Sequence, residues 1–128
     1  YDAYLQNVGG LESSVAFEFP RDKREFRKGK VSLTVQVPPR ATKIQFEQLE
    51  RCESGRVVWT VLDTENLNGH RRVTIKKNFF DSGPNRNGDQ FFRARVSDDT
   101  GKLLGWAIDR IVLTTFDGDR FAPQNYCY

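Results

Sequence analysis

Gly88-Asp-Gln-Phe-Phe-Arg-Ala-Arg-Val-Ser-Asp-Asp-Thr-Gly101 is the stretch whose pattern decides the fold class. Successive side chains of an extended strand point to opposite faces, so Phe92, Ala94 and Val96 share one face while Phe91, Arg93, Arg95 and Ser97 share the other. Asp98-Asp99-Thr100-Gly101 then reverses the chain, Gly supplying a positive φ at little cost and Asp tolerating the neighbouring turn positions. The stretch predicts one strand of an antiparallel sandwich, buried along Phe92 and displayed along Arg93.

The same period recurs on both sides of it. Val15 to Phe19 alternates and is closed by Pro20, and Val31 to Val37 alternates and is closed by Pro38-Pro39, as expected of a residue that cannot donate to a sheet ladder. Thr42 to Leu49 places Ile44 and Phe46 inward, and Leu49 slips phase, which predicts a bulge or the end of the strand. Arg56 to Leu62 is apolar on both faces, as a central strand covered on both sides is. Asp63 to Gly69 reads as a loop, Arg71 to Lys77 as a strand with Val73 and Ile75 inward, Asp81 to Asp89 as a second loop, and Leu103 to Phe116 as the last extended segments. No segment carries a helical period. Seven or eight short strands separated by polar turns predict an all-β antiparallel sandwich. Residues 1–128 are expected to form a single domain, with residues 1–11 a terminal strand or a loosely attached arm.

Composition sets the class of object. The 128 residues are 38% hydrophobic and 29% charged, ordinary for a globular domain. No apolar run approaches the roughly 20 residues of a membrane-spanning helix. The chain starts at Tyr1 and contains no Met, which suggests a removed leader and a secreted or surface-displayed protein. Cys52 and Cys127 are the only cysteines. A disulfide between them is expected, closing a long loop for a gain of about 4 kcal/mol; two unpaired buried thiols are the other reading. A metal is not expected, because a zinc site takes about four Cys or His ligands and only His70 remains to help.

Taken in order, Lys30 to Val37, Lys43-Ile-Gln-Phe46, Gly88 to Gly101 and Ile108 to Leu113 resemble immunoglobulin-like and fibronectin-type extracellular domains, over about residues 30–115. In those families a strand running aromatic, x, Ala, x, Val, x, Asp, x, x, Gly precedes the final strand. The resemblance implies an immunoglobulin-like sandwich and a role in recognition. It does not extend to antibody-type domains, since the cysteines are not on the second and sixth strands and Trp59 is not at the core Trp position. Trp106 to Thr114 is also similar to the last strand of jelly-roll carbohydrate-binding modules, which makes a jelly roll the alternative architecture.

Catalytic constellations are missing from the pattern. There is no nucleophile elbow and no Cys-His spacing suited to acyl transfer, His70 lies in a polar turn, and Asp98-Asp99 sits where a turn needs small polar residues. Gly9-Gly10 and Ser54-Gly55 lack the Lys and helix of a phosphate loop. The chain is therefore expected to be no enzyme and to carry no cofactor. Asp63, Glu65, Asn66 and Asn68, and again Asp81, Asn85, Asn87 and Asp89, have oxygen ligands of the kind calcium takes, but their spacing fits Asx turns better.

The candidate binding residues are cations and aromatics. Arg21, Lys23, Arg24, Arg27, Lys28 and Lys30 fall within one short segment around Phe26 and raise the local positive potential, against a reading as a solvated strand connection. Lys76, with Thr74 beside it, shares a displayed face with Arg93 and Arg95 if their strands belong to one sheet. Trp59 and Trp106 are expected in the core, and Phe79-Phe80, Tyr126 and Tyr128 at exposed edges. The expected function is a non-catalytic recognition module for an extracellular protein, with a carbohydrate-binding module or lectin, anionic glycans among its candidate ligands, as the alternative and a small hydrolase third; nucleic acid is not expected as a partner.

Overall fold

The computed structural model describes residues 15–27, 29–53, 56–78, 87–113 and 120–121, with the backbone alone at 51–53, 87–89 and 120–121. Nine strands are present among them: β1 (Ala16–Glu18), β2 (Glu25–Phe26), β3 (Val31–Gln36), β4 (Lys43–Glu53), β5 (Arg56–Asn66), β6 (Arg72–Lys77), β7 (Asn87–Ser97), β8 (Leu103–Leu113) and β9 (Arg120–Phe121). They form a small sheet in the order β1-β3-β6 and a large one in the order β2-β8-β7-β4-β5, with β9 beside β7. This is an immunoglobulin-like sandwich: the first, third and sixth strands on one side, and β8-β7-β4 flanked by β2 and β5 on the other. Pairing is antiparallel except at β2 with β8 and β9 with β7.

The core is made by alternation in both layers. Val31, Leu33 and Val35 of β3 point inward between exposed Ser32 and Gln36, with Ile75 of β6 beside them. The large sheet answers with Ile44 and Phe46 from β4, Phe92, Ala94 and Val96 from β7, and Ala107, Ile111 and Leu113 from β8, all in one cluster. Phe46 and Ala94 are cross-strand partners, large against small. The expected inward set of the opening stretch is thus the core set.

Two expectations about β5 are corrected. Its apolar residues on both faces predicted a central strand; it is the edge strand of the large sheet, paired with β4 alone among the described residues. The outward Val57 and Trp59 pack instead on Leu49 and Phe91, a second cluster on the outer face. The loop expected from Asp63 is strand through Asn66, because the ladder continues to the pair Lys43 and Asn66. The chain then turns at Asn68 (φ 51°) and Gly69 (φ 84°), with the His70 N–H donating to the Leu67 carbonyl at 2.9 Å; two consecutive positive φ values are why Asn-Gly occupies it. Leu49 does mark an irregularity, with Glu50 the extra residue before pairing resumes at Arg51, and β4 runs on to Glu53.

The arm expected over residues 1–11, the partner Cys127 and most of the Asp81–Asp89 loop lie outside the described residues, as do Lys28, Phe79-Phe80, Tyr126 and Tyr128. No helix among the described residues is long and apolar enough to cross a membrane. Because Phe46 is fully buried, Phe46→Ala is expected to cost about 3–5 kcal/mol, read as a lower denaturant midpoint with an unchanged slope.

Candidate functional site

The basic segment is a crossover between the two sheets. After β1 the chain takes a short 3-10 turn at Pro20–Asp22, with Arg21 (φ 56°) and Asp22 (φ 53°) in the left-handed region, and then pairs β2 with the edge of β8. Arg24 is used internally: its Nε donates to Asp22 at 2.8 Å, its Nη1 to Asp109 and to the Arg110 carbonyl, and its guanidinium lies 4.5 Å from the Phe19 ring centroid. Lys23 sits over Phe26 at 5.3 Å. Arg21, Arg27 and Lys30 are exposed. The segment thus closes the β8 edge with charge, a device that discourages edge pairing.

Lys76, Arg93 and Arg95 do not share a face. Lys76 belongs to β6 and stands opposite Ser32 on the outer side of the small sheet, whereas Arg93 and Arg95 belong to β7 in the large one. The condition for a joint cationic surface fails because the β5–β6 connection changes sheet.

Arg93 anchors the outer face of the large sheet. It stands directly across from Glu47, donating from Nε to Oε1 at 3.1 Å and from Nη2 to Oε2 at 2.7 Å, and its guanidinium lies 4.7 Å from the Trp59 ring centroid. Glu47 is only 4% exposed, so its charge is compensated by a bidentate pair rather than by water. Trp59, expected in the main core, is half-buried here and packs on the Leu49 and Phe91 cluster. Trp106 is also half-buried, across from Arg95.

One position further along β7, Arg95 is exposed, with Gln45 across from it on β4 and Lys43 next on that face. Neither Lys43 nor Arg95 forms an ion pair among the described residues. Together with Gln45, Ser97 and Leu103 they line a groove of about 170 Å³. Lys43, Ser97 and Gly101 also border a depression of about 520 Å³ at the end of the sandwich, lined further by Asn66, Asn68 and Asp99. Lys43 and Gln45 were missed by the sequence reading, although their alternation with Ile44 and Phe46 marks them as outward; which strand lies beside them is a matter of topology.

The turn flanking this groove is rigid. The Asp98 carboxylate accepts from the Thr100 hydroxyl at 2.6 Å, the Thr100 N–H at 2.9 Å and the Lys102 N–H at 3.0 Å. These bonds, Thr100's hydroxyl first, hold the Asp98 carboxyl below its ordinary value. Asp63 and Glu65, by contrast, share a hydrogen bond that holds the Glu65 carboxyl above the usual range. The two lie on β5, Asn68 lies in the tight turn, and His70 is exposed after it.

No family model and no curated protein matches the chain. Among solved structures it is similar to a polysaccharide monooxygenase CBM33 (10% identity, TM-score 0.45, 73% of this chain and 60% of that one). It is also similar to a chitin-binding domain from Burkholderia pseudomallei (10%, 0.43, 74% and 57%) and to CopC from Methylosinus trichosporium OB3b (13%, 0.38, 81% and 97%). The chain spans less than two thirds of the first two. Likenesses this remote carry no functional argument.

Two outcomes follow from the site. Glu47→Ala strands the Arg93 guanidinium and is expected to cost about 3 kcal/mol, while the Glu47→Ala/Arg93→Ala double variant costs less than the sum of the two singles, as a double-mutant cycle in denaturant reads. Since the folded Asp98 carboxyl is held low, its contribution is present above the unfolded value of about 3.9 and is lost as pH falls through the folded one. Asp98→Asn is therefore expected to flatten the decline of stability with acidification below about pH 4, measured as melting temperature against pH.

Proposed function

We propose that the protein is a non-catalytic recognition module, secreted or displayed at the cell surface, that binds an acidic segment of another protein at Lys43, Gln45 and Arg95. The observation that supports it is a pair of cations on adjacent strands, without an ion pair among the described residues, both outward and lining one groove. Like charges side by side on a sheet repel, so a carboxylate bound between them relieves that repulsion and gains from both. Arg95 offers a planar fork suited to a carboxylate, Lys43 a mobile point charge and Gln45 an amide donor. Kinship with immunoglobulin-like and fibronectin-type extracellular domains is part of the proposal. An oxidising compartment suits Cys52 and Cys127, between which a disulfide persists only there.

A second reading, an anionic glycan as ligand, is favoured by one feature. The groove opens into the larger depression, where Asn66, Asn68 and Thr100 supply the amides and hydroxyl that sugar hydroxyls hydrogen-bond. Titration with a poly-glutamate peptide and with a polyuronate oligosaccharide separates the two. Since a hydrogen bond to a charged group contributes about 1.5–3 kcal/mol, Lys43→Ala/Arg95→Ala is expected to weaken the binding ligand at least tenfold and to reduce its salt dependence. An affinity unchanged in that variant would remove the site.

A further inference from the structure

The large sheet ends in a long unguarded edge. β5 runs from Arg56 to Asn66, and among the described residues no strand pairs its far side. Its middle, Val57-Val58-Trp59-Thr60-Val61-Leu62, contains no charge, Gly or Pro and is rich in strand-forming residues. Such an edge presents a row of backbone donors and acceptors to any strand that meets it. The other edges are guarded: β1 and β2 span three and two residues, and β6 carries Arg72, Lys76 and Lys77. Val61, at 53%, is the exposed large hydrophobic side chain of the described residues, and it lies on this edge.

The charges of β5 sit only at its ends, Arg56 at the start and Asp63 and Glu65 at the finish. A strand positive at one end and negative at the other is complementary to itself when the second copy runs antiparallel. Opposed residues must also lie on the same face. Trp59 and Val61 both point outward, across from Leu49 and Glu47, so a two-fold axis through Thr60 sets each Trp59 against the second copy's Val61. Leu62 is an extra residue on β5 where the pair Phe46 and Asp63 gives way to Glu47 and Val61, so beyond it the count shifts by one and the same register brings Arg56 opposite Glu65, both on the inner face. Asp63, by a shared hydrogen bond first and by its charge second, already holds the Glu65 carboxyl high, and an incoming guanidinium offsets the negative charge of that pair.

We infer that β5 pairs antiparallel with β5 of a second copy of this chain, joining the two large sheets into one continuous sheet. Because the two-fold axis stands perpendicular to that sheet, both outer faces look the same way. The two Lys43–Arg95 grooves then address one surface and bind a repeating ligand as a bivalent unit. The dimer itself does not depend on the ligand proposed above.

Sedimentation velocity over a concentration series is the test. A reversible monomer–dimer equilibrium is expected, with the dissociation constant raised at least tenfold by Val61→Lys, an exposed position where folding is retained as judged by the melting curve. Arg56→Glu is expected to weaken the dimer in the same way, and Arg56→Glu/Glu65→Arg, which exchanges the two charges, to restore it. A monomer throughout the series overturns the inference. So does a dimer indifferent to Val61→Lys and Arg56→Glu, which would use another surface, or a monomer that pairs β5 with a foreign extended peptide.

Discussion

Phe46 faces Ala94 across the β4–β7 ladder, and the rest of the large sheet takes its register from that contact. Both are fully buried, and a slip of one residue on either strand would turn the aromatic ring to the outside and bring a charged or polar neighbour into the core. The next pair along, Glu47 with Arg93, enforces the same alignment from the other side of the sheet. A large-against-small apolar pair inside and a bidentate ion pair outside therefore exclude the same error by different physics.

That double lock also positions the groove. Lys43 and Gln45 on β4 and Arg95 on β7 are spaced by the ladder rather than by loops, so the backbone that carries them is already ordered while the exposed Lys43 and Arg95 side chains keep their rotamer freedom. Gln48 and Gln90, joined at 2.8 Å, satisfy polar groups on the inner side near the sheet's other end, and no buried polar side-chain atom among the described residues is left without a partner.

Alternation alone made the strands legible. Val31 to Val37, Arg71 to Lys77 and Gly88 to Ser97 could be assigned to faces because one face is buried and the other is wet. What alternation cannot carry is adjacency. Val57 and Trp59 looked like part of a strand covered twice, when their outer cover is a local cluster with Leu49 and Phe91. Asp63 to Asn66 looked like a loop by composition, while cross-strand bonding to β4 keeps it extended. Arg24 looked like one more displayed charge, because its partner Asp109 lies far along the chain. Lys43 and Arg95 come together only through strand order, which no local signal encodes.

The crossing of the first strand from one sheet to the other has a mechanical meaning. β1 is zipped antiparallel to β3, whereas β2 lies parallel to β8, and the Val112 N–H to Arg24 carbonyl bond at 2.7 Å extends that second contact. Tension applied between the start of β2 and the end of β8 pulls a parallel pair in opposite directions along its length, so its hydrogen bonds and the Arg24–Asp109 link are loaded together in shear instead of opening one at a time. The short charged crossover thus acts as a clamp between the two layers, placing the resistance of the domain to stretching at the end of the large sheet opposite β5.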